Sequence, residues 1–199
     1  MKFRRLAAVT VLAAGMVPAT LVAQGVAIAP TIGAYVPAGS FSELERSGSA
    51  SELKRGATLG VGLNIDLGAL RGTFAYASGA QIDEEGDINN REDIGDGSVL
   101  VGTAALVLRP IPRILILQPY LLIGGGFKQL NYSFNDDAIA EAFPKDERDL
   151  TGHIGIGADL SIGRLALLVE VNDFISQNAQ DKWDTHDAFG MVGMRLRLF

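Results

Sequence analysis

The chain has 199 residues, 48% hydrophobic and 20% charged, with 24 glycines, 7 prolines, no cysteine and a formal charge of -6. The length suits one domain, and this much apolar material excludes wholesale disorder and is enough to bury a core. The acidic balance excludes an electrostatic grip on nucleic acid, which needs clustered Lys and Arg, and the lack of cysteine excludes disulfides, thiolate metal sites and a cysteine nucleophile.

Residues 1–23 open with Lys2, Arg4 and Arg5, continue through an apolar run from Leu6 to Val17, and reach Pro18 and the small-residue stretch ending Leu21-Val22-Ala23. A positive start, an apolar middle and small residues at the end are the layout of a secretory signal peptide, with cleavage expected after Ala23. The alternative is a membrane anchor, but the apolar run is shorter than the roughly 20 residues that span a bilayer as a helix. Removing the segment takes three of 17 basic residues and none of the 23 acids, leaving residues 24–199 at -9.

From Gly25 onward the apolar period is two, the mark of strands. Eight segments emerge, at about 25–37, 57–67, 70–79, 98–108, 114–129, 150–162, 165–175 and 187–199. Gly68-Ala69, Pro110-Ile111-Pro112 and Gly163-Arg164 read as tight turns, and 38–56, 80–97, 130–149 and 176–186 as long polar loops. An even number of strands with short turns at one end and long loops at the other predicts an all-β fold, an eight-stranded antiparallel up-and-down transmembrane β-barrel.

The turns make that prediction specific, because a two-residue hairpin dictates which residues face each other. With Gly68-Ala69 as the turn, Leu67 opposes Leu70 and Asp66 opposes Arg71. Leu59, Val61, Leu63, Ile65 and Leu67 then share a face with Leu70, Phe74 and Tyr76, while Gly60, Gly62, Asn64, Asp66, Arg71, Thr73, Ala75 and Ala77 share the other. About Gly163-Arg164, Ile154, Ile156, Leu160 and Ile162 align with Leu165, Leu167, Val169 and Val171, opposite His153, Asp159, Ala166 and Glu170. A one-residue slip would mix both pairs of faces.

The non-apolar face is mostly Gly, Ala and Ser with a few charges, which suits a crowded concave interior better than a water-facing surface. The apolar face therefore points outward, unlike that of a soluble lipocalin-like barrel. Side chains just fill an eight-stranded interior, so the charges are expected to pair there: Asp66 with Arg71, and Glu170 with Arg195 and Arg197, with Asp159 also inside. Pro30 and Pro119 are expected at bulges or near a rim, since each lacks a ladder N–H. On 114–129, Gln118 and Lys128 inside place Leu115, Leu117, Leu121, Ile123 and Phe127 outside.

The segments Gln118-Pro119-Tyr120-Leu121-Leu122-Ile123-Gly124-Gly125-Gly126 and Gly152 to Leu160, together with the ending Val192-Gly193-Met194-Arg195-Leu196-Arg197-Leu198-Phe199, resemble the small outer-membrane barrels of Gram-negative bacteria, the OmpA/OmpX/opacity-like class. The resemblance covers 25–199. It implies a monomer in the cell outer membrane, partners in outer-membrane lipid, lipopolysaccharide and the barrel assembly machinery, and no cofactor. Phe199 looks like the terminal assembly signal of that class, although it is one step out of phase with Val192, Met194, Leu196 and Leu198.

The expected loops carry Asp83, Glu84, Glu85, Asp87, Glu92, Asp93 and Asp96, then Asp136, Asp137, Glu141, Asp146, Glu147 and Asp149. Their spacing does not match an EF-hand, and solvated charge runs explain them better than a metal site. Asp136 to Phe143 suits one or two helical turns ended by Pro144. Phe41, Tyr132, Phe134, Phe143 and Trp183 are placed to touch lipopolysaccharide or a partner, or to lie at a membrane interface. Catalysis would need a nucleophile, base and orienting acid together. The two histidines, His153 expected inside near the outer rim and His186 in Asp184-Thr185-His186-Asp187, have no such motif around them, so an enzyme is not expected. A structural or interaction role is expected, with a carrier of small apolar molecules and a soluble periplasmic binder as alternatives.

Overall fold

A computed structural model describes residues 25–38, 40–46, 49–85, 91–112, 114–135, 146–177 and 183–198. The expected signal segment, the helical turns at 136–143 and Phe199 lie outside the described residues. The strands are β1 (Val26–Ala38), β2 (Ser40–Arg46), β3 (Ser49–Arg55), β4 (Thr58–Leu67), β5 (Leu70–Glu85), β6 (Arg91–Leu108), β7 (Leu117–Phe134), β8 (Asp146–Ile162), β9 (Leu165–Gln177) and β10 (Trp183–Arg197). β1, β4, β5, β6, β7, β8, β9 and β10 pair in that order, all antiparallel, and β10 returns to β1, closing an eight-stranded barrel. The β2–β3 hairpin extends the wall beyond β1 and docks on the far end of β5.

Both hairpin registers read from the sequence are present. Asp66 pairs with Arg71 and Leu67 with Leu70, and Ile162 pairs with Leu165. Gly68 (φ 67°) and Gly163 (φ 65°) occupy the first turn position in the left-handed region, which glycine enters at no steric cost. The faces sort as expected. Leu59, Val61, Phe74, Ile123, Ile156, Val171 and Met194 are exposed on the outside, while Ala75, Ala77, Thr103, Asn172, Asp66, Arg71, Asp159, Glu170 and Arg195 are buried within and Arg197 is exposed. Leu115, Leu117, Leu121, Ile123 and Phe127 are exposed and Lys128 is buried.

Three expectations are corrected. The described residues within the expected loops 38–56, 80–97 and 130–149 are largely strand: β2 and β3 occupy the first, and β5, β6, β7 and β8 continue their ladders past the apolar band in the others. Asp83 stands opposite Asp93, and Glu84 opposite Glu92. The β6–β7 connection is Arg109–Ile116 and not a three-residue turn. Ile114 and Leu117 exchange backbone hydrogen bonds of 2.9 Å around Leu115-Ile116, with Leu115 at φ 55° and 90% exposed. Pro30 produces no bulge: pairing with β10 lapses at Ala29-Pro30 and resumes in the same register at Thr31 and Gly193. Pro119 lies near the rim, where β6 has already ended at Leu108 opposite Leu121.

Glycines appear where a side chain claims their space. A Cβ on Gly157 would stand 2.5 Å from the Tyr120 hydroxyl, directly across the β7–β8 ladder. On the outer wall, the Phe127 ring covers Gly102, its partner on β6.

Ile156, 61% exposed on the outer wall, reports the outward polarity directly. An Ile156→Arg variant is expected to lose about 2–4 kcal/mol of stability in lipid vesicles, as arginine does on the lipid face near mid-depth. Reversible urea unfolding of vesicle-inserted protein measures it.

Candidate functional site in the barrel interior

A closed wall of eight strands encloses a narrow interior, and charge buried there has little water to solvate it. Every such charge then needs a counter-charge and hydrogen bonds. Among the described residues the buried bases are Arg55, Arg71, Lys128 and Arg195, and the buried acids are Asp66, Asp159, Glu170 and Asp187. They fall into two clusters.

The first cluster lies toward the two-residue turns. Arg71 donates from Nε to Asp66 Oδ1 at 2.5 Å and pairs through Nη1 with Glu170. Arg195 Nε stands 2.9 Å from Asp66 Oδ2, and Arg195 Nη1 pairs with Asp159. The Tyr120 hydroxyl donates to Glu170 Oε2 at 2.7 Å, and the Arg71 guanidinium lies 4.9 Å from the centre of the Tyr120 ring, within cation–π range. Asn172 donates to Glu170 Oε1 at 2.7 Å and accepts at Oδ1 from His153 Nε2 at 2.9 Å; His153 Nδ1 meets Thr103 Oγ1 at 2.9 Å.

The second cluster lies toward the loop end. Asp187 accepts from Lys128 Nζ at 2.5 Å, from Arg55 Nη2 at 3.1 Å and from the Tyr35 hydroxyl at 2.7 Å. Lys128 also donates to Ser176 Oγ at 2.5 Å. An apolar layer that includes Phe174, Phe189, Met191, Leu130, Tyr132, Val99, Val101 and Ile82 packs in the same interior. Tyr35 and Phe189 rings lie 4.9 Å apart, and Phe174 and Phe189 meet edge to face at 5.8 Å.

The placements of the charges named from sequence differ in detail from the expected pairs. Asp66 and Arg71 are partners. Glu170 pairs with Arg71, not with Arg195 or Arg197, because the interior is narrow enough for Arg71 to bridge two walls. Arg195 takes Asp66 and Asp159. Arg197 is exposed at the turn-end rim. His153 is buried in mid-strand and not near the rim, since β8 begins at Asp146. Tyr132 joins the interior apolar layer instead of an outer loop, whereas Trp183 is exposed. His186 Nδ1 meets Asp173 Oδ2 at 2.7 Å in a part-exposed pair.

Arg55 and Asp187 were not singled out by sequence reasoning. Asp187 shares its parity on β10 with Arg195 and was available to that reasoning. Arg55 was not, because Gly56-Ala57 interrupts the strand and the parity changes across it: Arg55 is buried, and so are Gly60, Asn64 and Asp66. The neighbouring strand changes parity at the same level, with a register shift at Gly79 (φ 73°) between Ser78 and Ala80.

No protein-family model and no curated protein matches the chain. Among solved structures it is similar to the outer membrane protein OprG from Pseudomonas aeruginosa, with 14% identity and a TM-score of 0.53 over 87% of this chain and 96% of that one. Neisserial surface protein A aligns with 11% identity and a TM-score of 0.48 over 87% and 96% of the two chains. The N-terminal β-barrel domain of OprF from Pseudomonas aeruginosa aligns with 12% identity and a TM-score of 0.47 over 88% and 98%. The likeness to OprG is one of fold, an eight-stranded outer-membrane barrel.

Arg71 is central to the turn-end cluster. Arg71→Ala is expected to cost about 3–5 kcal/mol, as when one partner of a buried pair is removed. The Arg71→Ala/Glu170→Ala double variant is expected to lose less than the sum of the two single losses, read as coupling in a urea double-mutant cycle.

Proposed function

We propose that this chain is an integral outer-membrane barrel, exported by residues 1–23, with a filled, non-conducting interior and acidic strand extensions outside. Its role is structural or interactive. It contacts outer-membrane lipid and lipopolysaccharide, is inserted by the barrel assembly machinery as a monomer, and performs no catalysis.

The observation that carries this reading is the inverted polarity of the wall. Leu59 is 73% exposed and Ile156 61% exposed, while Arg71 and Glu170 are 0% and 1% exposed. A protein folded for water would gain by the opposite arrangement. In hydrocarbon the arrangement is favourable, because a closed ladder pairs the backbone polar groups internally and only apolar side chains meet lipid. Strands of about 9–11 tilted residues cross the apolar layer, and β4, with 10 residues, is of that length. The 16- to 18-residue strands β5, β6, β7 and β8 project past it, carrying carboxylates where water and lipopolysaccharide sugars are available.

A carrier reading is favoured by one feature, an apolar hollow of about 470 Å³ on the outer wall lined by Leu108, Leu121, Ile123, Ile154, Ile156 and Val171. Beneath it the β7–β8 ladder runs without a break from Leu117–Leu160 to Asn131–Asp146, and the interior behind is ion-paired. The hollow is thus a dent in a continuous wall, which supports the structural role over passage through it.

Cells expressing the chain are expected to yield it in the outer-membrane fraction, with a gel mobility in detergent that changes on boiling. Recovery from the soluble periplasm would overturn membrane residence. In planar bilayers the purified protein is expected to pass no steady current, and a stable open-pore step would overturn the filled interior.

A further inference from the structure

We propose that the turn-end vestibule binds a protonated phosphate group, as inorganic phosphate or a phosphomonoester. The vestibule is a cavity of about 250 Å³ whose lining includes Asp66, Arg109, Asp159, Arg195 and Arg197. Among the described residues, four buried bases are balanced by four buried acids. Arg109 and Arg197 are additional to that balance, and neither guanidinium has a hydrogen bond or ion pair with a described residue. Arg195 lines the same cavity; its side chain is 8% exposed and its Nη2 is buried without a partner. A buried guanidinium nitrogen left unpaired is costly, and three arginines lining one cavity from β10 and from the β6–β7 connection match the several acceptor oxygens of an oxyanion.

One wall of the cavity carries the opposite signal. Asp66 has both oxygens engaged by Arg71 and Arg195. Asp159 uses Oδ2 for Arg195, and its Oδ1 is buried without a partner. Asp159 lines the cavity, and a carboxylate beside an anion site repels an anion that has no proton, and accepts from one that carries an O–H. Dihydrogen or monohydrogen phosphate satisfies both sides, accepting from the arginines and donating to Asp159. Sulfate, fully deprotonated near neutral pH, leaves Asp159 unsatisfied and repelled.

Full-length protein folded in dodecyl maltoside, which contributes no phosphate, is titrated with sodium phosphate and with sodium sulfate at constant ionic strength, followed by calorimetry and 31P line width. Phosphate is expected to bind at least tenfold more tightly than sulfate. Arg109→Gln and Arg197→Gln, both at the exposed rim, are each expected to weaken phosphate about tenfold, the loss of one charge-assisted hydrogen bond. Arg148→Gln, exposed on β8 toward the loop end, is expected to leave binding unchanged. Asp159→Asn is expected to narrow the preference over sulfate. No phosphate binding by the unaltered chain, equal binding of sulfate, or phosphate affinity indifferent to both rim substitutions would overturn the proposal.

Discussion

Closing a sheet of eight strands is the constraint on which the other features depend. The ring has no free edge, so its backbone polar groups are satisfied within the wall, and its interior is narrow. Side-chain size inside is therefore limited residue by residue. Tyr120 fits because its ladder partner is Gly157, and the Asn172 amide lies where a Cβ on Gly155 would stand. The high glycine content belongs largely to this requirement, and the low aromatic content to a wall whose outer face needs aliphatic cover and not close packing.

The same narrowness organises the electrostatics. In a wide lumen, Asp66, Glu170 and Asp187 would each be hydrated. Here they are held by Arg71, Arg195, Lys128 and Arg55 across the interior, with Tyr35, Tyr120 and Asn172 completing their coordination. Such pairs recover little net stability over an apolar filling, but removing one partner leaves an uncompensated charge. Their effect is to lock opposite walls together at two levels, with Phe174, Phe189 and Met191 among the apolar residues packed in the same interior.

Charge is also distributed unequally between the ends. The loop-end extensions are rich in Asp and Glu, and like charges stand opposite one another in the β5–β6 ladder, which disfavours pairing at those positions. At the turn end, Arg109 and Arg197 border a cavity whose acids are already partly committed. The two rims therefore offer different chemistry to whatever meets them, one acidic and extended, the other compact and basic.

Sequence by itself determined the alternation of faces, the eight strands of the closed ring, both two-residue hairpins with the Asp66–Arg71 pair, and the outward direction of Leu59, Ile156 and Val171. These are local properties: a period of two and a glycine turn dictate facing without reference to distant chain. Tertiary structure decided the rest. Parity changes at Gly56-Ala57 and at Gly79 brought Arg55 and Ile82 inside, although strict alternation would have placed them outside. Glu170 was joined to Arg71 and Arg195 to Asp159 because barrel closure brings β5 opposite β9 and β10 near β8, 99 and 36 residues away in sequence. Which charges share an enclosed space depends on the diameter and stagger of the closed wall, and no single strand carries that information.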